Sequence, residues 1–195
     1  MKGIFYSYLA TGKLNIFVGP GLWLMMAIFF FFAPSGGRVA LVILMVSMIP
    51  AGIIIENSLI MGDWRRYLAV FPVKTSAIAF SRYLFAGAFI LLSGVLSGAW
   101  VAAFGWFEYL GIVAFAVGAW FIICGIVIPI TLVQDGLLRG VKGAIIGATA
   151  GAVVSHLIFT LGLWWVSVLA GVLVFVVSYL VSVKILRRQQ NGITG

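Results

Sequence analysis

Four carboxylates (Glu56, Asp63, Glu108 and Asp135), one histidine (His156) and one cysteine (Cys124) are all the carboxylate, imidazole and thiol groups that this chain of 195 residues offers for acid–base, nucleophilic or metal chemistry. Catalysis needs two or three such groups converging on one point, and the sequence offers no such cluster. A single cysteine and a single histidine can form neither an internal disulfide nor a Cys/His zinc site. The chain is therefore not expected to be an enzyme. The residues with the most suggestive spacing are aromatic and basic. Asp63 is a good N-cap for a helix starting at Trp64, and Pro72 biases Phe71 out of the helical region. At 100° per residue, Trp64, Tyr67, Leu68 and Phe71 then share one third of the circumference, while Arg65 and Arg66 face elsewhere. A helix of about two turns results, apolar on one face and cationic on another. Physics alone reads it equally as a docking element or as an ordinary interfacial loop helix.

The elements that must position this helix are apolar. Hydrophobic residues make up 64% of the chain and charged residues 8%, too few charges to cover a soluble domain. A stretch of about 20 apolar residues crosses the hydrocarbon core. On that basis the chain reads as an all-α, polytopic membrane domain over residues 1–195 with six transmembrane helices: Leu14–Ala33, Val39–Ile60, Ile78–Ala103, Tyr109–Val133, Gly143–Gly162 and Leu163–Leu186. Residues 187–195 form a tail. The first run is too long for a cleavable signal peptide and lacks a small-residue cleavage site, so it is read as a span. A formal net charge of +8 would suggest nucleic acid in a soluble protein. Here it is explained by topology. With the N-terminus inside, Lys2, Lys13, Arg65, Arg66, Lys74, Arg82, Arg139, Lys142, Lys184, Arg187 and Arg188 are cytoplasmic and only Arg38 is outside, in strong agreement with the positive-inside rule. Both termini are expected in the cytoplasm.

Small residues indicate how the helices meet. Gly143, Gly147 and Gly151 repeat every fourth residue, Gly94 and Gly98 do the same, and Gly111, Gly118 and Gly125 lie seven apart. Such stripes let helix backbones approach closely in lipid. Packing within one bundle and a subunit interface both fit them. Pro20, Pro50 and Pro129 each free a backbone carbonyl inside a span. Before the first span, Ile4, Phe5, Tyr8 and Leu9 share a helical face, which fits equally a short interfacial helix over residues 1–13 and a frayed terminus.

From Glu56 through Tyr83 the chain resembles the permease subunits of type-2 ABC transporters, in particular small bacterial members. The pattern is an acidic residue ending the second span, an aromatic and basic stretch (Trp64-Arg65-Arg66-Tyr67-Leu68), a Phe71-Pro72-Val73-Lys74 turn, and Ser81-Arg82-Tyr83 entering the third span. Phe71 stands where leucine is commoner. The resemblance implies that Asp63–Phe71 is a coupling helix docking into a separate ATP-binding cassette subunit, two permeases working with two ATPases. It also implies a location in the bacterial cytoplasmic membrane, homodimer or heterodimer, and a substrate such as an amphipathic antimicrobial peptide, toxin or drug. ATP and Mg would be bound by the partner, because no G-x-x-x-x-G-K-[ST] loop is present: Gly12-Lys13 is followed by Leu14.

The remaining polar residues are placed as follows. Glu56 lies four residues before the inner end of the second span and Arg82 four after the start of the third, so antiparallel neighbours bring them to one depth, where they are expected to pair. His156 and the Trp164-Trp165 belt are candidates for the substrate pathway or outer gate, although a hydrogen-bonded structural histidine is the simpler reading. Cys124 reads as a packing residue. The alternatives are the substrate-binding membrane subunit of a vitamin importer and a membrane-embedded enzyme; bulky Phe29–Phe32 and the lack of a polar cluster disfavour them.

Overall fold

The computed structural model describes residues 13–34, 37–51, 74–133, 137–160 and 164–193. Among them every regular element is helical: α1 (Lys13–Phe32), α2 (Gly37–Ala51), α3 (Thr75–Ala103), a 3-10 turn (Phe107–Tyr109), α4 (Leu110–Val133), α5 (Leu137–Thr160) and α6 (Trp164–Ile193). Among the described residues three segments are long and apolar enough to cross a membrane: Ser76–Ala103, Phe107–Leu132 and Trp164–Arg188. Pro20–Phe32, Gly37–Ala51 and Ile145–Val154 are shorter apolar helices. Each helix falls on one of the apolar runs, but helical and apolar lengths differ. α5 starts at Leu137, before Gly143, and α6 runs on to Ile193, through residues the sequence assigns to a tail. Leu, Arg and Gln are good helix formers and neither glycine nor proline interrupts the run before Gly192, so hydrogen bonding continues where apolarity stops. The expected interfacial helix, apart from Lys13, lies outside the described residues.

α4 sits at the centre. More than half of its apolar window, 56%, is buried, against 39% for α3 and 22% for α6. At one end, Ile78, Ala79, Tyr83, Ala86 and Ile90 of α3 pack with Phe121, Cys124, Ile128 and Leu132 of α4 and Leu186 of α6. At the other, Ala27 and Phe30 of α1, Val42, Met45 and Val46 of α2, and Val101 of α3 surround Tyr109, Val113 and Ala116. Cys124 is buried in the first of these cores.

The glycine stripes explain how the neighbours reach α4. A Cβ on Gly147 or Gly151 of α5 would stand 3.2 Å from the Val127 Cα and 2.9 Å from the Ile123 Cα of α4. One on Gly94 of α3 would stand 2.5 Å from Val117 Cγ2. Gly118 lies against the backbone of Ser167, and Gly171 answers from α6, where a Cβ would stand 2.5 Å from the Gly118 carbonyl oxygen. Gly125 faces the backbone of Phe175, and Gly111 the indole of Trp164. These glycines therefore serve packing within one chain, with helix backbones in near contact.

α3 ends in a Schellman motif. Gly105 takes φ 73°, a left-handed conformation that glycine adopts without strain. Its N–H bonds the Ala102 carbonyl at 3.0 Å and that of Trp106 bonds Val101 at 3.0 Å. The turn delivers Trp106 into a cluster of rings with Phe30, Phe31 and Phe104.

Charge divides the molecule lengthwise. Lys74 precedes α3, Lys142 lies in the second turn of α5, and Lys184, Arg187 and Arg188 end α6; all are exposed. These helix ends share one end of the bundle, since Tyr83 near the start of α3 meets Ser178 and Ser182 toward the end of α6. At the opposite, aromatic end the described residues hold one cation, Arg38, and one carboxylate, Glu108.

The glycine contacts set a graded test. Gly118→Ala should destabilise the detergent-solubilised protein by about 1–3 kcal/mol, because the added methyl meets backbone that cannot step aside. Gly98→Ala, whose Cβ would find its nearest neighbours at 3.9 Å, should shift stability by less than about 0.5 kcal/mol. Thermal denaturation followed by size-exclusion chromatography measures both; equal losses would contradict the packing described.

Candidate functional site

A proline inside a helix removes the N–H that would bond the carbonyl four residues earlier. In lipid that carbonyl needs another donor, since water is absent and an unsatisfied group costs several kcal/mol. For Pro129 of α4 the freed carbonyl is Gly125, and the hydroxyl of Ser178 on α6 donates to it. For Pro50 of α2 it is Val46, and Ser93 of α3 donates at 2.8 Å. Both serines are buried. Two proline-freed carbonyls in different helices thus accept hydroxyls from neighbouring helices.

The bond to Gly125 begins a longer chain. Tyr83 Oη lies 2.7 Å from Ser178 Oγ and 2.8 Å from Ser182 Oγ. Each hydroxyl has one proton to give. Ser178 spends its proton on Gly125, so it accepts from Tyr83, and Tyr83 in turn accepts from Ser182. The donors point one way, from Ser182 through Tyr83 and Ser178 to Gly125, and each bond polarises the next. Three helices meet here: α3 supplies the phenol, α6 both serines and α4 the carbonyl. Phe175 and Tyr179 stand edge-on to the Tyr83 ring at 4.9 and 5.6 Å, closing the site with apolar surface.

Other serines answer indole N–H groups. Trp23 donates to Ser97 at 3.1 Å and Trp120 to Ser47 at 2.9 Å, tying α1 to α3 and α4 to α2. Ser167 donates to the Phe115 carbonyl at 3.2 Å. Among the described residues no group of three histidine, cysteine or carboxylate side chains gathers to hold a metal.

Of the residues singled out in the sequence, Asp63, Trp64, Arg65, Arg66, Tyr67, Leu68, Phe71 and Pro72 lie outside the described residues, and so does Glu56. Arg82 is described: it is 4% exposed on α3, beside Tyr83 and toward the basic end. His156 is exposed on α5. At 100° per residue it faces opposite Gly147, hence away from α4. Trp164 is half-exposed at the start of α6, its indole against Gly111. The structure therefore leaves His156 on an outer face, while Trp164 caps the α4–α6 seam. The Tyr83–Ser178–Ser182 chain is absent from the sequence reading. Its signal was present, as two serine pairs four apart inside apolar helices (Ser93 with Ser97, Ser178 with Ser182) opposite two intrahelical prolines.

Comparison with protein-family models, with curated proteins and with solved structures finds no match. Fold and site define a coarser class: a helical protein of membrane type, with three helices of spanning length and buried hydroxyls serving backbone carbonyls.

The repair of Gly125 makes a sharp prediction. Ser178→Ala should destabilise the protein by about 1–2 kcal/mol, since the carbonyl then has no donor. In a Pro129→Ala background, where residue 129 regains its N–H, the same change should lose most of its effect. A double-mutant cycle measured by unfolding in mixed micelles reads the coupling; strictly additive effects would show that Ser178 does not serve the proline-freed carbonyl.

Proposed function

We propose that this chain is the membrane-spanning permease subunit of a bacterial type-2 ABC exporter, driven by a separate ATP-binding subunit. In this reading six helices cross the cytoplasmic membrane with both termini inside, and a second permease copy completes the transporter. The cargo is an amphipathic or hydrophobic compound such as an antimicrobial peptide, toxin or drug. The observation that carries the proposal is the run from Glu56 to Tyr83 together with the placement of its last residues. Arg82 is buried at the basic end and Tyr83 is bonded into α6. A push on the Trp64–Phe71 segment would reach α3 at its first turns and pass through Tyr83 to α6 and to the Pro129 kink of α4. The segregation of exposed cations to one end supports a cytoplasmic assignment for that end.

Arg82 is 4% exposed, and a charge at that depth is held by an opposite charge or by carbonyl groups. Glu56 is the carboxylate the antiparallel arithmetic brings to its depth, and we assign it that role.

Two outcomes are expected. Trp64→Ala combined with Leu68→Ala should abolish co-purification of the ATPase while the permease still inserts, since aromatic anchors in such interfaces contribute about 2 kcal/mol or more each; a complex that survives the double change refutes the docking role. Glu56→Arg or Arg82→Glu alone should impair transport in reconstituted vesicles, and the double swap should restore part of it. No restoration would refute the pairing.

A further inference from the structure

At the aromatic end, Arg38 occupies an unusual setting. Its guanidinium carbon stands 5.1 Å from the ring centroid of Trp106 and 5.7 Å from that of Phe30. Those two rings are themselves 4.7 Å apart, with Tyr109 edge-on to Phe30 at 5.8 Å and Phe31 beside Trp106 at 5.5 Å. The cradle is fixed from three directions: Phe30 and Phe31 by α1, Trp106 by the Schellman turn, and Arg38 itself by the first turn of α2, where its N–H bonds the Pro34 carbonyl at 3.2 Å. Ring faces attract the cation but accept nothing in the plane of its N–H groups. The Nε is shielded from solvent and has no hydrogen-bond partner among the described residues. Glu108, the carboxylate at this end, stays exposed on the 3-10 turn and forms no ion pair with Arg38 among the described residues.

A guanidinium carries five donors in a planar fork that matches an oxyanion two bonds at a time. Here two rings hold the cation without accepting its N–H bonds. The surroundings indicate which oxyanion is within reach. Phe32, Phe104, Phe107, Trp164 and Trp165 are all exposed at this end, the composition of an aromatic belt at headgroup depth. We propose that Arg38, held by Phe30 and Trp106, is an oxyanion site that takes the phosphate of a phospholipid headgroup in the leaflet at the aromatic end. The bound lipid meets the part of the half-buried Arg38 guanidinium that remains accessible and fastens the α1–α2 corner to the α3–α4 turn. The site is independent of the transport reading, since it requires only that this end lie at a membrane surface.

The test is native mass spectrometry of the full chain released from detergent after titration with phosphatidylglycerol, with dioleoylglycerol, which lacks the phosphate, as control lipid. The wild-type protein is expected to retain one phosphatidylglycerol, with affinity falling about tenfold or more in Arg38→Gln, as the loss of charge-assisted hydrogen bonds implies. Arg38→Lys, which keeps the charge and loses the fork, is expected to fall between the two, and serves if the glutamine variant does not fold. Dioleoylglycerol should show no dependence on residue 38. Equal retention of phosphatidylglycerol by the wild type and the folded variants overturns the site. Displacement of the lipid by millimolar inorganic phosphate assigns the site to dissolved anions and overturns the headgroup assignment.

Discussion

Apolar helices in lipid gain little by hiding apolar surface from one another, so their association depends on close packing and on hydrogen bonds between them. In this protein both converge on α4. Its neighbours come near wherever a side chain is missing: at Gly147 and Gly151 from α5, at Gly94 from α3, and at Gly118 and Gly171 between α4 and α6. That closeness brings a serine hydroxyl within reach of the carbonyl that Pro129 frees. Separated by ordinary side chains, α4 and α6 would leave the Gly125 carbonyl without a donor, an unsatisfied group in hydrocarbon.

The same logic operates a second time. Pro50 frees Val46, and Ser93 of α3 supplies the proton. Proline breaks the ladder in one helix and the neighbour completes it, so each freed carbonyl becomes an interhelical tie. In the Pro129 case the tie extends through Tyr83 to Ser182, making one directional chain across three helices. The two ends of the molecule are correspondingly unlike. The basic end carries exposed lysines and arginines around the entrance to α3, and the aromatic end holds one arginine among rings.

Much of the frame was legible in the sequence. Hydropathy located the helices, the lysines and arginines sorted to one end, and the glycine stripes and intrahelical prolines were visible as spacings. Where the reading fell short, it treated each helix alone. It did not bring Tyr83 to Ser178 and Ser182, and it gave the apolar span to Leu186 without the helix's continuation to Ile193, where good helix formers carry hydrogen bonding past the apolar surface. His156, a lone ionisable residue read more simply as structural, is exposed on α5 with its phase away from α4.

By itself the sequence determined that the chain is helical and apolar, which residues are cationic at which helix ends, and where backbone carbonyls must be freed. These are local properties, set by composition and by spacing along one helix. Only the tertiary structure decided which groups meet: that the seven-residue glycine stripe of α4 faces α6, that Ser178 and not another hydroxyl reaches Gly125, and that Phe30 and Trp106 flank Arg38. Such pairings depend on the rotation and depth of two helices at once. Residues 95 and 99 positions apart, as Tyr83 is from Ser178 and Ser182, share no local signal that fixes them.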